Sequence, residues 1–307
     1  MTESGSLKVI FAALVGNALI AVTKFFAASV TGSSAMLSEA IHSLVDTGNQ
    51  VLMLHGMRRA KRPADEAHPF GYGMEVYFWT FVVAILVFAG GAGVSIYEGV
   101  HKVMNPEPVS NVMINYIVLG AATVFESVAW YIAYKEFGRS KGRMSIIEAV
   151  SRSKDPTVFT VLFEDTAALL GLVVAFVGIA VADYLDMPML DGVASIVIGL
   201  ILALTASLLA FETKGLLIGE AAHPRVVDGV RRIARAEDTV VGVNEILTMH
   251  LGPRDVLLNV SLDFADQRSA GDVETAVTSM ERQIRRQFPE VTRVFIEAQS
   301  KAAQRRF

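Results

Sequence analysis

Residues 33–57 read SSAMLSEAIHSLVDTGNQVLMLHGM, a hydrophobic stretch of membrane-crossing length that nevertheless carries Glu39, His42 and Asp46. His42 and Asp46 are four residues apart, so on a helix the imidazole and the carboxylate leave from one face. An ionisable group at mid-membrane costs about 2.5–3.5 kcal/mol on insertion scales, and such groups normally line a polar pathway or meet a charged partner. A histidine nitrogen beside an aspartate oxygen is also half of a zinc-type ligand set.

The chain around this stretch is membrane-like throughout its first two thirds. Of 307 residues, 52% are hydrophobic and 19% charged, and the mean hydropathy is +0.45, which is not the balance of a soluble domain. The net charge of −4 is mild and argues against nucleic-acid binding. There is no cysteine, so disulfides and thiolate metal sites are excluded. Any metal must be held by His, Asp, Glu, other oxygen ligands or water.

About 20 apolar residues span a bilayer. Six segments meet that length, near 8–30, 33–57, 76–100, 112–136, 156–182 and 189–211. The first run begins at Leu7, exceeds a signal-peptide core and lacks a small-residue cleavage site, so it reads as a retained helix. Arg58, Arg59, Lys61 and Arg62 follow the second segment, and Arg139, Lys141, Arg143, Arg152 and Lys154 follow the fourth. The first connection, 31–34, is uncharged, and the fifth carries Asp183 and Asp186 without Lys or Arg. This asymmetry puts both basic loops, and with them both termini, in the cytoplasm.

Beyond Phe211 the pattern changes. Val256, Leu258, Val260, Leu262 and Phe264 alternate with Asn259, Ser261 and Asp263, the signature of a half-buried strand. Val273, Val277, Met280, Ile284 and Phe288 recur at helical spacing, with Pro289 as a stop, and Pro224 opens an earlier helix. With strands near 243–250 and 291–297, the order is α-β-β-α-β, a ferredoxin-like α+β sandwich. The predicted architecture is an all-α membrane domain of six transmembrane helices over 1–212, a cytoplasmic ferredoxin-like domain over 213–298 and a frayed tail over 299–307.

Two constellations carry candidate chemistry. In the fifth segment Glu164 and Asp165 are adjacent acids, and helical neighbours diverge by about 100°, so they cannot face one site equally. Asp165 with His42 and Asp46 supplies three ligands, leaving a fourth position to water, Glu164 or a backbone carbonyl. Interhelical hydrogen bonding is the competing use of such residues. Three ionisable groups together in the spans favour a metal or proton site. Glu39 is either a further ligand on the approach or a helix-end acid, and Glu126 is either a proton carrier or, the favoured reading, the partner of Lys24. In the loop 63–73, Asp65 and His68 either hold a divalent ion at the cytoplasmic face or belong to a turn capping the third segment. His55, His101, His223 and His250 read as surface or helix-end residues. No nucleophile–base pair or phosphate loop supports an enzyme.

SSAMLSEAIHSLVDTGNQ in the second segment, HPFGYG before the third and FEDTAALLG in the fifth, together with six segments and the α-β-β-α-β tail, give a chain that resembles the cation diffusion facilitator family over essentially its whole length. That resemblance implies a homodimeric divalent-metal/proton antiporter in a lipid bilayer, a secondary active transporter with no tightly bound cofactor. Its substrate would be Zn²⁺, or Mn²⁺, Fe²⁺ or Co²⁺, expelled from the cytoplasm by alternating access. The expected location is a bacterial inner membrane. Carried over by position, the metal ligands are His42, Asp46 and Asp165, between the second and fifth spans.

The chain departs from the family pattern at four places. Val161 stands where a histidine or aspartate often precedes the fifth-span aspartate, which makes Glu164 the candidate replacement. In the loop site, Asp65 and His68 are joined by Tyr72 where a histidine is frequent. In the tail domain Asn244, Ser261, Glu297 and Gln299 replace a dinuclear metal set, so tight zinc binding is not expected there. Gly73 and Met74 stand where a dimer-locking lysine is common. These departures motivate an alternative reading, a non-transporting subunit or metal-responsive scaffold that partners another transporter.

Overall fold

The computed structural model describes residues 3–141, 149–150 and 153–300. Arg143, Arg152 and tail residues 301–307 lie outside the described residues. Among those described, six long helices precede the tail: α1 (Glu3–Thr31), α2 (Ser34–Ala60), α3 (Glu75–Met104), α4 (Val112–Lys141), α5 (Pro156–Leu185) and α6 (Met189–Ile218). Helices α3 to α6 each contain a stretch long and apolar enough to cross a membrane, and α1 adds a shorter apolar stretch, Gly16–Thr31. Helix α2 is the polar one, because it carries Glu39, His42, Asp46, Asn49 and Gln50. The chain is an integral membrane protein.

By compactness the described residues form two units. The first draws on Met1–Arg58, Phe78–Ser151 and Pro156–Lys214, the second on Arg59–Tyr77, Arg152–Asp155 and Gly215–Phe307. Two stretches of the basic loops therefore pack with the C-terminal residues, a grouping that a linear boundary does not express.

The interior of the first unit is rich in small side chains. Ala27, Ala35, Ala122, Ala167, Ala175 and Ala194 pack with Met36, Leu119, Leu172 and Ile198. Small residues let helix backbones approach closely, which is how helices gain contact when lipid offers no hydrophobic drive for association. Other large side chains face outward: Phe88, Phe125, Ile132 and Leu204 are exposed, as suits a lipid-facing surface. Within α3 the segment Val87–Gly93, VFAGGAG, widens into a π-helical turn. Such turns inside α-helices commonly mark functional positions.

In the second unit, α7 (Pro224–Arg235), β1 (Val240–Gly252), β2 (Asp255–Phe264), α8 (Ala270–Gln287) and β3 (Val291–Ala298) follow in order. The sheet order is β1-β2-β3, with β1 antiparallel to β2 and β3 parallel to it. The tight Gly252–Asp255 connection suits the antiparallel pair, and α8 supplies the crossover that a parallel pair requires. Val256, Leu258, Val260 and Leu262 of β2 are buried with Val226 and Val230 of α7 and Ala276, Met280, Ile284 and Phe288 of α8. The helical spacing had Val273 and Val277 on the core face: Val277 packs against the core from a half-buried position, Val273 is half-buried, and Ala276 is the fully buried residue of that turn. A capping box of Ser269 and Asp272 starts α8, and its last turn closes at Phe288 before Pro289. Pro224 opens α7, and the Nδ1 of His223 accepts the Arg225 amide at 3.1 Å, so His223 is the helix-end residue expected of it.

His250 is not a surface residue. It is buried near the end of β1, its Nδ1 lies 3.2 Å from the Gly252 carbonyl, and Lys154, Glu220 and Glu290 are the charged groups around it. The period-2 pattern of a strand whose two faces are both covered at one end does not distinguish it from an exposed position. Burial away from water holds the His250 imidazole below the ordinary histidine range. The folded state therefore takes up a proton less readily than the unfolded one, so its stability is complete above the ordinary histidine pKa and is lost as pH falls through it. Unfolding of the second unit, followed from about pH 7.5 to about pH 5.5 across the ordinary value near 6.5, should weaken with acid more steeply in the native sequence than in His250→Gln. Equal slopes would show that His250 carries no proton-linked stability.

Candidate metal centre

Glu39, His42, Asp46, Asn49 and Gln50 recur every three or four residues and so share one face of α2. The His42 Nδ1 is 3.5 Å from the Asp46 Oδ1, and the two side chains are 1% and 14% exposed, so the pair is inside the bundle rather than at its rim. The Asn49 amide donates to the Glu164 Oε1 at 2.8 Å, which ties α2 to α5. Asp165, next in the chain, lies mostly buried on α5 within Coulombic range of Glu126 and Asp46. The two adjacent acids thus divide their duties: Glu164 accepts a hydrogen bond from α2, and Asp165 does not share it.

Several buried atoms on these faces have no hydrogen-bond partner among the described residues. They are Oε1 of Glu39, both ring nitrogens of His42, Oδ1 of Asp46, Oδ1 of Asn49, Oε1 of Gln50, and Oγ1 of Thr160 and Oδ2 of Asp165 on α5. Buried polar atoms in folded proteins are nearly always satisfied, and a concentration of exceptions calls for an explanation. The eight here are nitrogen or oxygen atoms on one face of α2 and on α5. As donors to a metal ion, a neutral imidazole and carboxylate oxygens form a hard-to-intermediate set suited to zinc and its first-row neighbours. Among the described residues, no group of three or more His, Cys, Asp or Glu side chains is close enough to hold one ion together. His42 and Asp46 meet on α2, and Asp165 stays on α5. Asp46 lies within Coulombic range of Glu126, Glu164 and Asp165, and Asp165 within that of Glu126 and Glu164.

The sequence had paired Glu126 with Lys24. The ammonium of Lys24 instead meets Glu39 Oε2 at 2.9 Å and donates to Ser43 Oγ at 2.8 Å, with both charged side chains fully buried. Glu39 and Ser43 are one turn apart on α2 and both accept from the ammonium, while Glu126 on α4 lies within Coulombic range of Lys24. Glu39 is therefore neither a helix-end acid nor a ligand free of other duty.

The N-terminal end of α2 is fastened separately. Asp191, fully buried in the first turn of α6, accepts from Ser33 Oγ and the Ser34 amide at 2.6 Å each and from the Ala35 amide at 3.3 Å. It fills the place of an N-cap carboxylate supplied by another helix, satisfying orphan amides at the positive end of the α2 dipole. Lys102 of α3 closes the same corner by donating to the Gly32 carbonyl at 2.8 Å. One turn further in, the Ser38 and Ser195 hydroxyls are 2.5 Å apart, and Ser195 donates to the Ser95 carbonyl at 2.7 Å. Sequence reasoning passed over Asp191 and Asn49. The available signals were an acid opening an otherwise apolar helix and an amide three residues after Asp46.

In the second unit, the loop constellation is an exposed turn. The Asp65 carboxylate accepts the His68 amide and the Tyr72 hydroxyl at 2.7 Å each, and the His68 Nδ1 lies 3.5 Å away. Asp65 and His68 are each about half exposed, 52% and 54%. The Tyr72 hydrogen bond holds the Asp65 carboxyl below the usual carboxylate range. Arg59 and Arg62 face the Tyr72 ring at 5.9 and 5.6 Å. The loop then runs onto the sheet: Phe70 lies under the Arg293 guanidinium at 5.2 Å, and Gly73 abuts the backbone of Leu251, where an added Cβ would come within 2.3 Å of the carbonyl oxygen. Only glycine fits at 73, which explains the absence of a lysine there. Asn244, Ser261 and Gln299 form a neutral network, with the Asn244 amide donating to the Gln299 carbonyl at 2.7 Å and Ser261 Oγ donating to the Gln299 side chain at 3.3 Å.

A helical membrane unit with ionisable groups buried on one polar helix is the architecture of a protein that handles ions within the bilayer. The family described as the cation efflux transmembrane domain matches residues 10–218. The chain belongs to this family, the cation diffusion facilitators. It is 31% identical over 263 residues to the human mitochondrial proton-coupled zinc antiporter SLC30A9, covering 85% of this chain and 46% of that protein. It is 27% identical over 269 residues to metal tolerance protein C4 of Arabidopsis thaliana, covering 87% of this chain and 59% of the relative. With the magnetosome protein MamM of Paramagnetospirillum magneticum it shares 27% identity over 224 residues, 72% of this chain and 66% of the relative. The chain thus spans about half the length of the human relative.

The Asp191 anchor yields a stability expectation. Asp191→Ala should lower the stability of the helical unit by about 2 kcal/mol, the upper end for a lost N-cap, because it strands two buried amides. A thermal unfolding series on the detergent-solubilised protein measures this, and an unchanged midpoint would show that α2 needs no cap from α6.

Proposed function

We propose that the protein exports a divalent transition-metal cation from the cytoplasm in exchange for protons, with zinc the first candidate and Mn²⁺, Fe²⁺ and Co²⁺ next. The observation that carries this reading is the set of buried, unpartnered donor atoms on His42, Asp46 and Asp165. The name of the human relative, a proton-coupled zinc antiporter, agrees with it. In this reading the six long helices are six spans, both termini are cytoplasmic, the small domain is ferredoxin-like, and two copies form the working unit in a bacterial inner membrane. The protein is then a secondary active transporter and not an enzyme.

The chemistry follows from the donor types. Metal binding requires a neutral imidazole and ionised carboxylates, and protons compete for the same lone pairs. His42, Asp46 and Asp165 take the cation when the site opens to the cytoplasm. When the helices rearrange and the site opens outward, protons on those groups release it, and their return inward completes the exchange. Val161 leaves a fourth coordination position to water or to Glu164. Recruiting Glu164 requires it to exchange the Asn49 hydrogen bond for the metal. At the cytoplasmic loop, Asp65 and His68 offer at most a weak docking point, since both Asp65 oxygens already accept hydrogen bonds.

The rival reading is a non-transporting subunit or scaffold. Val161 and the separation of Asp165 from the His42–Asp46 pair favour it. Metal uptake into vesicles reconstituted with the pure protein decides between the two.

In that assay Asp46→Ala should reduce metal-dependent transport roughly 100-fold or more, beyond the 10–100-fold typical of a lost supporting contact, while the protein stays folded. Normal rates would remove Asp46 from the site. His42→Asp should keep transport but shift preference toward harder ions such as manganese, and an unchanged metal panel would count against His42 as a ligand.

The adjacent acids give an independent comparison. Asp165→Ala should be more damaging than Glu164→Ala, whose loss releases only the Asn49 bond. The reverse order would make Glu164 the ligand.

A further inference from the structure

Lys24 is fully buried in the helical unit, one helix away from the candidate ligands. Its ammonium bonds to Glu39, one turn before His42, and to Ser43, the residue after His42. It is also within Coulombic reach of His42, Asp46 and Glu126. Glu39 uses one oxygen on Lys24. The other, Oε1, has no hydrogen-bond partner among the described residues and sits against Gly171 of α5, where a Cβ would come within 2.3 Å of it.

A tether between α1 and α2 does not need charge. A buried ion pair is replaceable by apolar residues of similar volume with little loss of stability and often a gain. What a lysine contributes and a methionine does not is a fixed positive field. At this place the field acts on Glu39, Asp46 and Glu126. A basin with that many carboxylates and no cation of its own would hold a divalent ion very tightly, and an ion held that tightly does not leave.

We propose that Lys24 is a resident counter-cation: it balances the buried carboxylates when no metal is bound and repels the metal when one is, so that the ion is held loosely enough to be released. This rests on the reading of His42, Asp46 and Asp165 as ligands of the transported ion. Lys24 is a positioning residue, not a ligand. Its pairing with Glu39 keeps the ammonium at one fixed place beside the site.

A resident charge shifts zinc affinity in opposite directions when each of the two partners is neutralised, where a purely structural tether shifts it the same way for both. Zinc binding to the full chain in lipid nanodiscs is measured by calorimetry for the native protein, Lys24→Met, Glu39→Gln, Lys24→Arg, the double variant Lys24→Met/Glu39→Gln, and Asp46→Ala as reference. Lys24→Met should bind zinc about tenfold more tightly and Glu39→Gln about tenfold more weakly, a change of about 1.4 kcal/mol each way. Lys24→Arg keeps its charge and, like the double variant, should stay within about threefold of the native protein. In vesicles, Lys24→Met should lower KM and kcat together, because release becomes slow. Shifts of the same sign in Lys24→Met and Glu39→Gln, or no shift in either, would overturn the proposal. If Lys24→Met does not fold, Glu39→Gln and the double variant decide by the same signs. If Asp46→Ala leaves zinc binding intact, the ligand reading fails. If it abolishes binding and the Lys24 series does not diverge, only the counter-cation fails.

Discussion

Charge buried in an apolar bundle has to be balanced from inside it, and the arrangement of the helical unit follows from that constraint. Bringing an ion out of water costs several kcal/mol even after the protein relaxes, and removing one partner of a buried pair costs about 3–5 kcal/mol. Lys24 and Glu39 answer each other, Asp191 is held by a hydroxyl and two amides, and Glu164 is held by Asn49. With those groups accounted for, His42, Asp46 and Asp165 retain buried atoms with no partner among the described residues. Lys24 and Asp191 are fully engaged and Glu39 and Glu164 each hold one bond, so the concentration of unpartnered atoms on His42, Asp46 and Asp165 is informative.

These bonds converge on α2. Its first residues are capped from α6 and braced by α3, its middle is tied to α1 through Lys24, and its second half reaches α5 through Asn49. The other long helices meet largely through small apolar side chains, whose contacts are individually weak and not directional. Directional bonds also join α1 to α4 through Thr31 and Asn115, α4 to α5 through Trp130 and Thr166, and α6 to α3 through Ser195, but α2 gathers the charged ones. A transport cycle of the proposed kind would be a rearrangement of a few identifiable hydrogen bonds against a background of sliding apolar contacts, and the π-helical turn in α3 is a place where a helix can give.

The second unit is organised differently. It has a conventional water-excluding core between two helices and one face of a three-stranded sheet. Onto it dock Phe70 and Gly73 from the loop that follows α2, and Lys154, which pairs with Glu220 and accepts Tyr77 on its carbonyl. Its neutral Asn244–Ser261–Gln299 network ties the residue following β3 to the first two strands by hydrogen bonds.

Hydropathy and spacing alone determined the long helices, the membrane character, the α-β-β-α-β order of the tail and the shared face of His42 and Asp46. Each of these depends on periodicity along one chain segment, which the sequence states directly. The burial of Val256 to Leu262 was legible for the same reason. The partners of the buried charges were not. Lys24 had two acids within reach, and its ammonium bonds to Glu39 of α2 while Glu126 of α4 acts on it only through space. Asp191 became the cap of a helix more than 150 residues earlier in the chain. His250 turned inward because both faces of its strand end are covered, and Gly73 was needed because the Leu251 backbone lies against it. Pairing across helices depends on rotation and depth, and a one-dimensional pattern carries neither. The sequence determined which residues had to be satisfied, and only the packed structure decided by whom.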